Sequence, residues 1–248
     1  MNELFYRHYA DAFHSTRGYG WRGWRSLLDD LAHHPSRVLD IGCGGGRFAD
    51  FLQRIWVDEQ GGVLDSYMGL ERSKELLGIA QERSLGFYCQ WFSFDWSSAL
   101  IEGERVKFES NWVVLFGVMH HIYSFEARVA LVVWAARHLS LDGFISISLW
   151  DFGASERYEK KYLPWDQSLS KYSELSSDLI EPGDRLLGWA GESHTPRYCH
   201  WMSASEEVAW LEEIAKRAPQ LSSPHLTTIE GDMNRYWSWR LLAPIDPT

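Results

Sequence analysis

Between Arg37 and Phe48 an apolar run, Val38-Leu39-Asp40-Ile41, passes directly into glycines at 42, 44 and 46. A buried strand that ends in glycines and turns into a helix lets backbone approach a ligand where any side chain would collide, which is how a nucleotide-cofactor loop is built. A dinucleotide loop requires G-x-G-x-x-G, and Arg47 stands where its third glycine belongs. Asp40 at the strand tip would repel a pyrophosphate but attract a cationic group such as the amino-acid end of S-adenosylmethionine, so the methyl donor fits this loop better than NAD. Glu71 ends the next strand-like run with Gly69 just before it, the position from which a carboxylate accepts hydrogen bonds from both ribose hydroxyls.

These residues need a scaffold, and the periodicities supply one. Leu4 to Phe13 and Trp21 to Ala32 place apolar residues at helical spacing, and His33-His34-Pro35 ends the second run. A helix from about Arg47 to Val57, the strand Ser66 to Glu71, a helix through Glu82 and a strand at Gly86 to Phe92 follow. Asn111 to Gly117 is almost entirely apolar, as expected of a parallel strand covered on both faces. Ser124 caps a helix to about His138, and Asp142-Gly143 turns it into the strand Phe144 to Leu149. Ser203-Ala-Ser-Glu206 matches a capping box opening a helix to about Arg217, and Leu226 to Glu230 with Arg235 to Leu242 form a hairpin around Gly231-Asp232. The expected fold class is α/β: a mostly parallel seven-stranded sheet with helices on both faces and a terminal antiparallel hairpin.

One stretch breaks the alternation. Asp151 to Thr195 is long, polar and aromatic, with Trp165, Trp189, Pro164 and Pro182. Residues 151–202 are expected to form an insertion or substrate lid, with Asp151 to Thr195 more mobile than the sheet for want of periodic apolar surface. Residues 1–34 are expected to form a helical cap on a single domain spanning 1–248. His120 and His121 follow the Asn111–Gly117 strand, where a side chain faces a transferred methyl; either can bind a polar or anionic acceptor group or act as a base near neutral pH.

Composition narrows the classes. The 248 residues, 45% apolar and 23% charged, suffice for one substantial core. Cys43, Cys89 and Cys199 are widely spaced, so neither a disulfide framework nor zinc is expected, and a reducing, cytoplasmic setting is. There is no basic n-region with an apolar h-region at Met1-Asn-Glu-Leu-Phe-Tyr and no run of 18 apolar residues, so no membrane association is expected. A net charge of −10 repels nucleic-acid phosphates at long range, so an RNA acceptor would need a local basic patch or a partner subunit.

The run Val38-Leu39-Asp40-Ile41-Gly42-Cys43-Gly44-x-Gly46 resembles motif I of the class I S-adenosylmethionine-dependent methyltransferases. That resemblance implies a Rossmann-like fold and a cofactor site of Asp40, Gly42, Cys43, Gly44, Glu71, Arg72, Asp95, Trp96 and Phe116, with Asp95 taking the adenine amino group and its neighbour's backbone meeting the ring. Short matches at Phe13-His14-Ser15-Thr16-Arg17, Met119-His120-His121, Leu149-Trp150 and Arg197-Tyr198-Cys199-His200 make the chain similar to the tRNA wobble-uridine carboxymethyl methyltransferases. This narrower resemblance implies esterification of a carboxymethyl group on tRNA, usually with a small zinc-binding activator subunit, whereas the net charge favours a small-molecule or peptide acceptor. A carboxylate acceptor is already ionised at pH 7 and needs positioning, not a base. Arg17 or Arg197 would clamp it, or hold the carboxylate of the donor, beside His120 and His121.

Overall fold

The computed structural model describes residues 2–16, 18–31, 34–96, 100, 106–166, 176–189 and 192–245. Helices α1 (Asn2–Ser15) and α2 (Arg22–Asp30) precede β1 (Arg37–Ile41). Then come α3 (Arg47–Phe51), extended by a π-helical stretch over Leu52–Glu59, and β2 (Ser66–Glu71), α4 (Lys74–Gln81), β3 (Tyr88–Ser93), β4 (Ser110–Leu115), α5 (Phe125–Ala136) and β5 (Leu139–Trp150). The chain continues through α6 (Glu156–Glu159), β6 (Tyr162–Leu163), β7 (Asp184–Trp189), β8 (Glu192–His200), α7 (Ala204–Arg217), β9 (His225–Thr228) and β10 (Asn234–Arg240).

Seven strands form one sheet in the order β3-β2-β1-β4-β5-β10-β9. The first four pairings are parallel and the β10 pairings with β5 and β9 are antiparallel, so the terminal hairpin closes a parallel sheet as the pattern predicted. Side-chain alternation explains the layering. Val38, Trp112 and Val114 face a core built with Trp24 and Leu27 of α2 and Phe48 of α3, while Leu39, Val113 and Leu115 face one built with Val129 and Val132 of α5 and Trp210 of α7. Crossing from β2 to β3 at one edge and through β4 to the other leaves a topological switch point at the C-terminal tips of β1 and β4, where such sheets bind ligands.

Two local expectations change. Asp142-Gly143 is no strand start: β5 runs unbroken from Leu139 to Trp150, Asp142 adopts φ 66°, and the pairing with β4 slips between Ser110 and Trp112. The turn signal marks a bulge, because Asp142 N–H is still satisfied by the Leu241 carbonyl at 3.0 Å. The expected lid is a three-stranded antiparallel sheet, β6-β7-β8, in its described part. Leu186, Leu187 and Cys199 are buried there and Phe152 packs against Leu187 and Cys199, so the apolar surface absent from the local sequence pattern comes from residues far apart in the chain. Residues 167–175 and 190–191 of the expected lid lie outside the described residues.

Candidate active site

The loop after β1 forms the floor. Gly42 (φ 75°) and Gly44 (φ 54°) take left-handed conformations that favour glycine. A Cβ on Gly42 would stand 2.4 Å from Val118 Cγ2, whereas the space beside Gly44 is open for 4 Å. Leu70, on the adjoining strand, accepts from the amides of Gly42 (2.7 Å) and Cys43 (3.0 Å), which locks the loop to β2. Glu71 then accepts from Gly44 N–H at 2.9 Å through Oε2 and from Ser73 N–H at 2.7 Å through Oε1. Burial raises the Glu71 pKa above the ordinary range, against the pull of those amides.

Asp40 sits opposite Gly69 of β2, almost fully buried, and accepts a short hydrogen bond from the Tyr67 hydroxyl. Burial pushes its carboxyl up to about 7, helped by the Glu71 charge and opposed by the Tyr67 hydrogen bond and by Arg47. Arg47, the first residue of α3, lies 4.8 Å from the Trp21 ring and 5.1 Å from that of Trp24, and burial pushes its guanidinium down to about 10.

Above this floor is a cavity of about 350 Å³. On the β2–β3 side its wall is Leu76, Phe94 and Trp96; on the β4–β10 side it is Trp21, Arg47, Phe116 and Asn234; toward β5 and β8 it is His120, His121, Trp150 and Arg197. Helix α1 roofs it. Tyr6, Phe13 and His14 reach down from α1, and Asn2 hydrogen-bonds the Tyr198 backbone of β8 on both sides, donating at 3.1 Å and accepting at 2.8 Å.

Most of the anticipated residues converge here: Asp40, Gly42, Cys43, Gly44, Glu71, Arg72, Trp96, Phe116, His120, His121 and Arg197 all line the cavity. Asp95 does not. Its carboxylate is drawn to Arg72 Nε at 3.5 Å, and it is Phe94 and Trp96 on either side that turn inward. Arg72 is itself half exposed and also pairs with Glu3 of α1 at 3.6 Å. Arg17 lies outside the described residues.

His121 is more constrained than its place past β4 suggested. Its Nδ1 lies 2.9 Å from Asn2 Nδ2 and 3.1 Å from the Tyr198 carbonyl oxygen, and its Nε2 lies 2.9 Å from the Tyr6 hydroxyl, so both ring nitrogens are engaged. The Tyr6 oxygen also receives a hydrogen bond from Arg197. His121 therefore anchors Tyr6, and Tyr6 orients Arg197. That guanidinium is 5% exposed, lies 5.5 Å from the Phe5 ring, 5.6 Å from Phe13 and 5.2 Å from Trp150, and has no carboxylate within ion-pair distance among the described residues. The sequence offered no route to Tyr6, Tyr67 or Asn234, which enter the site through folding alone; Arg47 was visible only as a departure from the dinucleotide pattern.

The glycine floor with an open face at Gly44, a ribose-height carboxylate and an aromatic slot beyond it fit an adenosyl group. A family model described as a methyltransferase domain matches residues 13–214. The chain belongs to the methyltransferase-domain family. Its cofactor is S-adenosylmethionine, and the enzyme is a methyltransferase with the Rossmann-like fold of that family. A methyltransferase structure from Clostridium acetobutylicum superposes with a TM-score of 0.60 at 11% identity, covering 96% of this chain and 98% of the other. One from Methanosarcina mazei gives 0.56 at 14% identity over 87% and 97%. CalS10, an amino pentose methyltransferase from Micromonospora echinaspora, gives 0.54 at 14% over 93% and 95%. No curated protein matches the methyltransferase in sequence. Among its described residues no helix is long and apolar enough to cross a membrane.

Proposed function

We propose that the methyltransferase esterifies a carboxylate, holding the acceptor against Arg197. The observation that carries this reading is a buried guanidinium, ringed by Phe5, Phe13 and Trp150, with no carboxylate of the described residues within ion-pair distance. A buried cation is costly unless paired, so the site is short of one anion, and a planar carboxylate matches the guanidinium fork. S-adenosylmethionine supplies an electrophilic methyl on sulfonium. The residues of this chain would do the positioning: Asn2 contacts His121, His121 contacts Tyr6, and Tyr6 accepts from Arg197, whose guanidinium would hold the acceptor carboxylate for attack on the methyl, with S-adenosylhomocysteine as the leaving group. No base is required, since the acceptor is ionised at neutral pH.

Resemblance to the wobble-uridine enzymes favours the carboxymethyl group of a tRNA uridine as the acceptor, delivered with the help of a small activator subunit. A second reading, esterification of a small-molecule or peptide carboxylate, is favoured by the net charge of −10, which opposes approach of an RNA backbone. The test is methyl transfer from labelled donor to bulk tRNA lacking the ester, in parallel with a panel of small carboxylic acids. Labelled carboxymethyluridine ester after nuclease digestion supports the first; base-labile label on a small acid supports the second. Label that survives mild alkali would remove the carboxylate reading altogether.

A further inference from the structure

Cys199 reaches the wall of the active site from behind. It lies on β8, which packs against the turn at Met119–His121, and its sulfur and one ring nitrogen each of His120 and His121 all lie within 4.8 Å of one another. Wide spacing in the chain argues against zinc only while ligands are sought close in sequence; here the fold brings the third ligand from a distant strand. A buried thiol and two imidazoles make a donor set that suits Zn²⁺ and not Mg²⁺ or Ca²⁺. Tetrahedral zinc with its usual bond lengths sets donor atoms about 3.5 Å apart, so closing the set takes side-chain movements on the order of 1 Å.

The surroundings support the same ligands. The Arg197 guanidinium on the same strand attracts a Cys199 thiolate, the form that binds metal. The Tyr198 carbonyl, 3.1 Å from His121 Nδ1, is the kind of partner that orients a ligating imidazole through its second nitrogen, which leaves Nε2 to ligate in exchange for its contact with Tyr6. Both histidines line the cavity whereas Cys199 is fully buried, so an ion between them faces the cavity on one side only. The other grouping of this kind among the described residues, Glu181, His200 and Glu206, already has Arg128 paired with both of its carboxylates and needs no further cation.

We propose that His120, His121 and Cys199 form a three-ligand site for zinc, with the fourth position open to the cavity. The assignment does not depend on which acceptor is methylated.

Co²⁺, which adopts the same geometry and is visible, tests the site when titrated into the full chain, with Zn²⁺ affinity read by displacement. One equivalent should bind, with thiolate-to-cobalt charge-transfer absorption in the near ultraviolet and the visible bands of four-coordinate cobalt. Cys199→Ser should abolish the charge-transfer band while its affinity for S-adenosylhomocysteine stays within a factor of about three, which shows that the variant is folded. His120→Ala should weaken Zn²⁺ binding by at least about 100-fold, since losing even a supporting hydrogen bond costs about 10- to 100-fold. Cys89→Ala should change nothing. Azide should shift the visible bands as it takes the fourth position. No charge-transfer band in the wild type, a band that survives Cys199→Ser or disappears in Cys89→Ala, or an unchanged Zn²⁺ affinity in His120→Ala overturns the assignment, and visible bands indifferent to azide overturn the open position.

Discussion

Glu71 and Gly44 are joined by a 2.9 Å hydrogen bond from loop amide to carboxylate, while the other Glu71 oxygen takes the Ser73 amide at 2.7 Å. One side chain thus ties the tip of β2 to the loop after β1 and to the start of α4 before a nucleoside arrives. Glu71→Ala should weaken donor binding by about 1.5–3 kcal/mol, the value of hydrogen bonds to a charged group, measured by calorimetry. Glu71→Gln should lose less, since an amide oxygen still accepts.

Donor affinity should depend on pH through Asp40. Burial holds its carboxyl near 7 in the free protein, and the ammonium of the donor favours the ionised form, so affinity should rise as pH increases through about 7. The stability linkage runs the other way. Because the folded value exceeds the unfolded 3.8, the native state binds more protons between 3.8 and about 7, and the Asp40 contribution to stability falls as pH rises across that window. Asp40→Asn should flatten the affinity profile; an unchanged slope in the variant would assign the titration elsewhere.

A buried charge cluster fastens the small sheet to the body. Arg128, fully buried on α5, donates to the Ile122 carbonyl at 2.9 Å and pairs with Glu181 and with Glu206 (2.7 Å); His200 bridges Asp184 (2.7 Å) and Glu206 (2.9 Å). Removing one partner of such a set strands the others, so Arg128→Ala should cost about 3–5 kcal/mol in denaturant unfolding.

The same cluster sets a pH window. Burial alone would lower the His200 pKa, but its hydrogen bonds to Asp184 and Glu206 raise it, so its stabilising contribution is complete below the ordinary value of 6.5 and is lost as pH rises through the folded value. Burial likewise opposes ionisation of Asp184 and Glu206, yet His200 holds both below their ordinary values, and their contribution is present above 3.8 and 4.5 and lost as pH falls through the folded values. Thermal midpoints should therefore peak between the carboxylate and histidine ranges. In His200→Gln the alkaline decline should shrink.

Turnover variants separate positioning from base catalysis. Arg197→Ala should raise the acceptor KM or lower kcat while donor affinity changes little, and the rate should stay flat above the acceptor pKa. Tyr6→Phe should give a milder defect of the same kind, because it loosens Arg197 without deleting it. A rate that instead follows a single ionisation near neutrality and vanishes in His121→Ala, with Arg197→Ala active, would establish general-base catalysis.

The strand-to-glycine transition at 38–46, Glu71 closing β2 and the apolar run of β4 are all legible in the sequence, because each is a local pattern that only one kind of backbone accommodates. The cap at Ser203 is local as well: its Oγ accepts from the Glu206 amide at 3.2 Å. What Glu206 does with its carboxylate is not local. It leaves the expected capping box for Arg128, 78 residues away in the chain, and for His200. Asp95 turns toward Arg72, His121 finds both its nitrogens engaged by α1 and β8, and the polar stretch after Asp151 becomes a sheet by burying Leu187 and Cys199 against Phe152. Backbone form follows from neighbours a few positions away, whereas the partner of a charge or a ring is chosen by which elements the sheet brings side by side. Desolvation at that meeting point, absent from the sequence, decides which groups stay charged and which are left to hold a ligand.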